Sequence, residues 1–335
     1  MAHDHSHPLG PIDVHAHFYP PAFIKLIREE GGPLGAEVTD TDKGPVLKVN
    51  EIVTQPIHAK FTDLDTRIQA MDEQGVKVHA LSLSLPMVEW ADARVGHRLA
   101  VAVNDSLAEA HTLHPTRLYG LATLPWHAPE LAVKELERAA KLPGVRGVYS
   151  ATRVRDLELS DPSLFPIYER IEALGLPIFL HPVSVIGHAR LNQFYLHNLL
   201  GNPFESAIAA AHLIFGGIFD RYPKLVVCLP HAGGAFPYLV GRLQRGYDVR
   251  QDLKKIKHGP MDYLRRFYYD TVGYAQVHHE YLVKLVGSDR VMMGSDYCFP
   301  IAYEQPAKIV TDHPSWDPIQ KHAILEGNAR ALLKI

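Results

Sequence analysis

The feature that most restricts this chain is an alternation. Short apolar segments of strand character recur along it, separated by glycine or proline breaks and by stretches whose apolar residues fall at helical spacing. In order they are P-I-D-V-H-A-H-F from Pro11, V-H-A-L-S-L-S-L-P from Val78, L-Y-G-L-A-T-L-P from Leu118 and G-V-R-G-V-Y-S from Gly144. The second half supplies L-P-I-F-L-H-P from Leu176, L-V-V-C-L-P from Leu225, F-Y-Y-D-T-V from Phe267 and R-V-M-M-G-S-D from Arg290. Mostly apolar strands that alternate with helices pair in parallel beneath a helical layer. Eight such units predict a closed α/β (β/α)8 TIM barrel, a single domain over residues 1–335. An open doubly wound sheet is the alternative, but it calls for a glycine-rich turn after the first strand, and P-I-D-V-H-A-H-F has no glycine.

Local signals place the helices. Thr62 or Asp63 caps one whose apolar stripe is Leu64, Ile68 and Met71, and Asp161 followed by Pro162 opens another. Residues from about 19 to 61 are too long for a plain connection, so an insertion or lid with short strands of its own is expected there. With 47% hydrophobic and 21% charged residues the chain can bury an ample core. A formal net charge of -3 gives no basic footprint for nucleic acid, and no apolar run reaches the roughly 20 residues of a membrane span. Two cysteines, Cys228 and Cys298, make no disulfide framework and fit a reducing cytoplasm, where small molecules are the expected partners. The tract with His3, His5 and His7 reads as a solvated end and is excluded from the site.

Barrel geometry gives the scattered polar residues a common address. His15 and His17, two apart on one strand face, end the first segment; His181, His231 and Asp296 end later ones. Active sites of barrels lie where strands end, so all five converge. Neutral imidazoles with a carboxylate suit one divalent ion, Zn²⁺ first, with Mn²⁺, Fe²⁺ or Co²⁺ acceptable. His231 reads as the general acid/base beside it, and Asp296 as a ligand, a proton carrier or both. Asp13 shares the strand face and orients a ligand histidine, or else is a buried carboxylate satisfied by backbone. His212, in an Ala/Leu/Ile helix, reads as a packing residue, His188 as a loop residue, and Gly233 and Gly234 as a tight turn or a close backbone approach.

The set I-D-V-H-A-H, L-H-P, P-H-A-G-G-A-F and G-S-D-Y resembles the amidohydrolase superfamily, specifically its amidohydrolase-2 branch, over nearly the whole chain. The branch includes the aminocarboxymuconate-semialdehyde and salicylate-type decarboxylases. The resemblance implies a barrel of the metal-dependent hydrolase type with His15, His17, His181 and Asp296 on the metal and His231 catalytic. It implies a single ion, because G-V-Y-S-A-T-R after the fourth strand offers no bridging lysine. It also implies a homodimer in which Arg242 holds a substrate carboxylate in the neighbouring subunit.

Two departures bear on the substrate. Where the semialdehyde decarboxylases have a second carboxylate-binding arginine and a tryptophan, this chain has only Lys48 and Val183. Lysine does not replace a bidentate arginine, which points to a different carboxylate, an aromatic one stacked near Phe299 or Trp90. Arg190, in the loop after the fifth strand, is a further candidate for anion binding. The expected activity is non-oxidative decarboxylation of a small unsaturated or aromatic acid. A metal-dependent hydrolase or hydratase on the same scaffold is the alternative, and a non-catalytic metal-binding barrel a third reading.

Overall fold

The computed structural model describes residues 10–335, so His3, His5 and His7 lie outside the described residues. Eight parallel strands form one sheet in strict chain order: β1 (Ile12–His17), β2 (Val78–Ser82), β3 (Leu118–Thr123), β4 (Val145–Ala151), β5 (Ile178–His181), β6 (Val227–Leu229), β7 (Phe267–Asp270) and β8 (Val291–Met292). The sheet closes on itself. Val14 N–H donates to the Met293 carbonyl at 3.0 Å, and Ala16 bridges Tyr297 in parallel. The expected barrel is therefore present, with helices outside it. Every residue of β1, β2 and β5 is buried, as strands covered on both faces must be.

The eighth strand is shorter than its apolar run suggests. Side chains take the backbone donors that a ladder would use: Gly294 N–H goes to Thr271 Oγ1 at 3.1 Å and Ser295 N–H to Asp13 Oδ1 at 3.1 Å. The chain is thereby released from the sheet just before Asp296.

Around the barrel the expected helices appear. Asp63 caps Leu64–Glu73 by accepting Thr66 N–H at 2.7 Å, and Asp161 accepts Ser163 N–H at 2.9 Å ahead of Phe165–Leu174. Leu99, Val103 and Leu107 bury one face of Ala93–Leu113. Residues 19–61 hold a helix, Pro21–Glu30, and an antiparallel three-stranded sheet, Ala36–Thr41, Gly44–Val49 and Ile52–Val53. Ala36, Leu47 and Val49 bury one side of that sheet. Its end delivers Phe61, fully buried, against Tyr19 and Phe299 with ring centroids 5.4 and 5.2 Å away.

Candidate metal centre

Four ligand atoms, one each from His15, His17, His181 and Asp296, lie within 4.8 Å of one another in a buried cluster. They arrive from the ends of β1 and β5 and from the turn after β8, as barrel geometry requires. His17 Nε2 is 3.1 Å and His15 Nε2 3.5 Å from Asp296 Oδ1, and the His17 and His181 rings are 4.9 Å apart. His15 Nε2 is buried without a hydrogen-bond partner among the described residues. Such an orphan is costly unless something else binds it, and a metal ion is what an inward-facing imidazole nitrogen beside a carboxylate binds. The donor set fits one divalent ion.

The outward nitrogens are tied down. His15 Nδ1 pairs with Asp270 Oδ2 at 2.7 Å, and His181 Nδ1 donates to the Pro182 carbonyl at 2.9 Å. Burial and neighbouring imidazoles hold His17 and His181 well below the usual histidine range, so both are neutral, the form a metal accepts. Burial also works against charge on His15, but Asp270 and Asp296 outweigh it and push that residue up to about 9. Asp296 is raised, chiefly by burial.

His231 stands beside the cluster, its ring 5.1 Å from His15 and 5.5 Å from His181. Burial, reinforced by His15, lowers its pKa. Three residues here carry left-handed backbone without being glycine: His231 (φ 54°), Ala232 (φ 55°) and Asp296 (φ 66°). Asp270 secures the first two, accepting His231 N–H at 3.1 Å and Ala232 N–H at 2.8 Å, and Asp296 N–H donates to the His15 carbonyl at 2.9 Å. Strain held in place by such bonds marks functional loops. Gly234 (φ 57°) continues the turn, and a Cβ there would sit 2.3 Å from the Pro203 carbonyl oxygen, so the close approach expected of it is real.

A cavity of about 460 Å³ is bounded by His231 and Asp296, with Tyr238, Tyr274, His278 and Tyr281 among its other walls. Among the described residues, no lysine or arginine lines it. Phe299 is at the site, its ring 5.1 Å from His17. Trp90 is half-buried, packs on the hydrophobic core, and donates its indole N–H to Met87 carbonyl. Arg190 and Arg242 are exposed and neither bounds the cavity, so this chain does not bring them to its own site. Lys48 pairs with Glu37 on the small sheet at 3.7 Å.

The other candidates fall on the plainer of the readings open to them. Among the described residues Asp13 makes no hydrogen bond to a ligand imidazole; it takes the backbone N–H groups of His15 (2.9 Å) and Ser295 and the Ser295 hydroxyl, and burial pushes it up to about 6. His212 bonds Ser160 at 3.0 Å away from the cluster, and His188 is exposed. Burial pushes the Cys298 thiol up to about 12, which favours the thiol over the thiolate. Sequence reasoning missed Asp270, although it ends an apolar strand as His181 does. It also missed Arg67, fully buried, whose guanidinium donates to the His17 carbonyl and lies 4.9 Å from the centre of the Tyr297 ring. A charged residue in a helix stripe gives no sequence signal of burial.

Residues 12–335 match the family described as Amidohydrolase. The 2-amino-3-carboxymuconate-6-semialdehyde decarboxylase of Dictyostelium discoideum is 32% identical over 96% of this chain and 91% of its own length. Among solved structures, the 5-carboxyvanillate decarboxylase of Sphingomonas paucimobilis superposes with a TM-score of 0.85 at 27% identity, covering 98% of this chain and 100% of that one. A dihydroxybenzoic acid decarboxylase from a Polaromonas species, solved with manganese and the inhibitor 2-nitroresorcinol, gives 0.81 at 28% identity, covering 97% of each chain.

Proposed function

This chain belongs to the amidohydrolase family, and from that membership we propose that it is a metal-dependent, non-oxidative decarboxylase of a small aromatic or unsaturated carboxylic acid. The observation that carries the reading is the buried set His15, His17, His181 and Asp296 with His231 beside it, in a fold shared with decarboxylases that act on aromatic acids. When bound, a divalent ion there supplies positive charge to substrate oxygens and to the electron density released as the carbon–carbon bond breaks. The remaining work falls to the chain's own residues. The carboxylate leaves as CO₂, its bonding pair stays on the ring carbon, and a proton from His231 or Asp296 completes that carbon's valence. Both residues bound the cavity, so both reach a substrate held there. Phe299, its ring 5.1 Å from His17 and backed by Phe61, offers an aromatic face suited to a planar ring.

One relative was solved with manganese, but three imidazoles and a single carboxylate favour Zn²⁺, which we assign as the resident ion. A homodimer completes the site. Tyr238 and Tyr274, on the wall of the cavity, are 83% and 46% exposed, apolar surface that a second copy would cover. Arg242 lies on the same helix as Tyr238, Phe236–Val249, so a second copy covering this surface presents its Arg242 to the cation-free cavity. Cys228 and Cys298 are both free, in keeping with a cytoplasmic enzyme. The test is CO₂ release by metal-loaded protein over a panel of hydroxybenzoates and carboxymuconate semialdehydes, with His231→Ala as control. Release that the variant abolishes is expected; acid released from lactones or amides without CO₂ would transfer the chain to the hydrolases.

A further inference from the structure

Each imidazole of the cluster must keep one nitrogen free for the metal and hand the other, protonated, to an acceptor. His15 has a carboxylate for this and His181 a carbonyl. His17 has neither. Its Nε2 faces Asp296 at 3.1 Å, and its Nδ1 lies 3.3 Å from the hydroxyl oxygen of Ser82. Ser82 is fully buried at the end of β2, directly across the ladder from His17.

A hydroxyl offers one proton and two lone pairs. The Ala16 carbonyl takes the Ser82 proton at 3.4 Å, which leaves a lone pair for His17 Nδ1–H. The second lone pair is within reach of Tyr149. That side chain is buried on β4, stacked on the His181 ring at 5.9 Å and edge-on to His17 at 6.4 Å. Its hydroxyl interacts with Ser82, yet stops short of a hydrogen bond and has no other partner among the described residues. Buried phenols without a partner are uncommon, and Ser82 is the acceptor in front of this one.

From this geometry we infer that Ser82 and Tyr149 are positioning residues for the metal. Tyr149 donates to Ser82, Ser82 accepts from His17 Nδ1–H, and His17 Nε2 is thereby kept deprotonated and aimed into the cluster. A single hydroxyl accepts more weakly than a carboxylate, so His17 is the ligand most exposed to loss of its support. The inference rests on the metal reading of the site. Tyr149 acts through Ser82, so the two substitutions must not add.

Ser82→Ala, Tyr149→Phe and the double variant are titrated with Zn²⁺ against a chromophoric chelator, alongside Co²⁺ absorption spectra and thermal unfolding of the metal-free proteins. Ser82→Ala is expected to weaken binding about 10–100-fold and to alter the Co²⁺ spectrum. Tyr149→Phe is expected to have a smaller effect, and the double variant to match Ser82→Ala within about twofold. Unaltered affinity in Ser82→Ala, or a double variant with the product of the single effects, overturns the inference. A drop in metal-free melting temperature without a change in affinity overturns it too, since that is packing. A wild-type chain that binds no metal refutes the metal reading itself.

Discussion

Replacing Asp270 by asparagine tests how the site is held together. Its carboxylate receives four donors: His15 Nδ1 (2.7 Å) and His231 N–H (3.1 Å) on Oδ2, and Ala232 N–H (2.8 Å) and Val272 N–H (3.0 Å) on Oδ1. Burial alone would raise its pKa, but the His15 bond and charge keep it below the ordinary value. An amide has one acceptor oxygen, so half of this arrangement must fail. If the NH₂ faces Ala232 and Val272, two buried N–H groups lose their acceptor, at about 1–3 kcal/mol each. If it faces His15, that ring must accept at Nδ1 and carry its proton on Nε2, the atom the metal needs. Loss of such support costs about 10–100-fold in metal affinity, or about 1.4–2.7 kcal/mol. Chelator-competition titration and denaturant unfolding of Asp270→Asn should show one loss or both. Affinity within twofold of wild type together with an unchanged unfolding midpoint would refute the reasoning.

Three further outcomes follow from the same geometry. His231→Ala should lower kcat by about 10²–10⁴ while metal affinity stays within a few-fold, read by turnover and chelator competition; equal losses in both would make His231 a structural residue. Arg242→Ala should raise KM and leave metal binding intact, and mixing it with His231→Ala should regain activity if the arginine serves the neighbouring subunit; no regain in the mixture would place Arg242 outside the shared site. Burial pushes Glu89 up to about 7 from its ordinary 4.5, so the folded state takes up a proton between those values. Its contribution is fully present below pH 4.5 and is lost as pH rises through 7. Glu89→Gln should therefore be about 3 kcal/mol more stable than wild type at pH 8 with little difference near pH 4.5, and an equal offset at both pH values in denaturant titrations would contradict the assignment.

The parts of the fold that follow from period and strand-end chemistry were legible from the residues. The eight apolar runs are the eight strands, and the histidines and aspartate that close four of them meet because parallel strands end on one face. Side-chain substitution for backbone bonding was not legible: Ser295 and Gly294 leave the ladder because Asp13 and Thr271 capture their N–H groups. The same holds for burial of charge. Arg67 falls on the apolar stripe of its helix, where a charged side chain is expected to turn out to solvent, and its destination depends on the His17 carbonyl and the Tyr297 ring, which no local pattern encodes. Asp13 illustrates the converse, since its position on the His15 strand was evident while Ser295, which holds both its oxygens, lies across the barrel closure.

The most direct test of the account is turnover of a hydroxybenzoate by the zinc- or manganese-loaded protein in D₂O under nitrogen, with gas and product analysed together. Non-oxidative decarboxylation predicts one CO₂ per product molecule, one deuterium on the carbon that bore the carboxylate, and no requirement for oxygen. A product that keeps its carboxylate, or one cleaved at an acyl bond without CO₂, would contradict it.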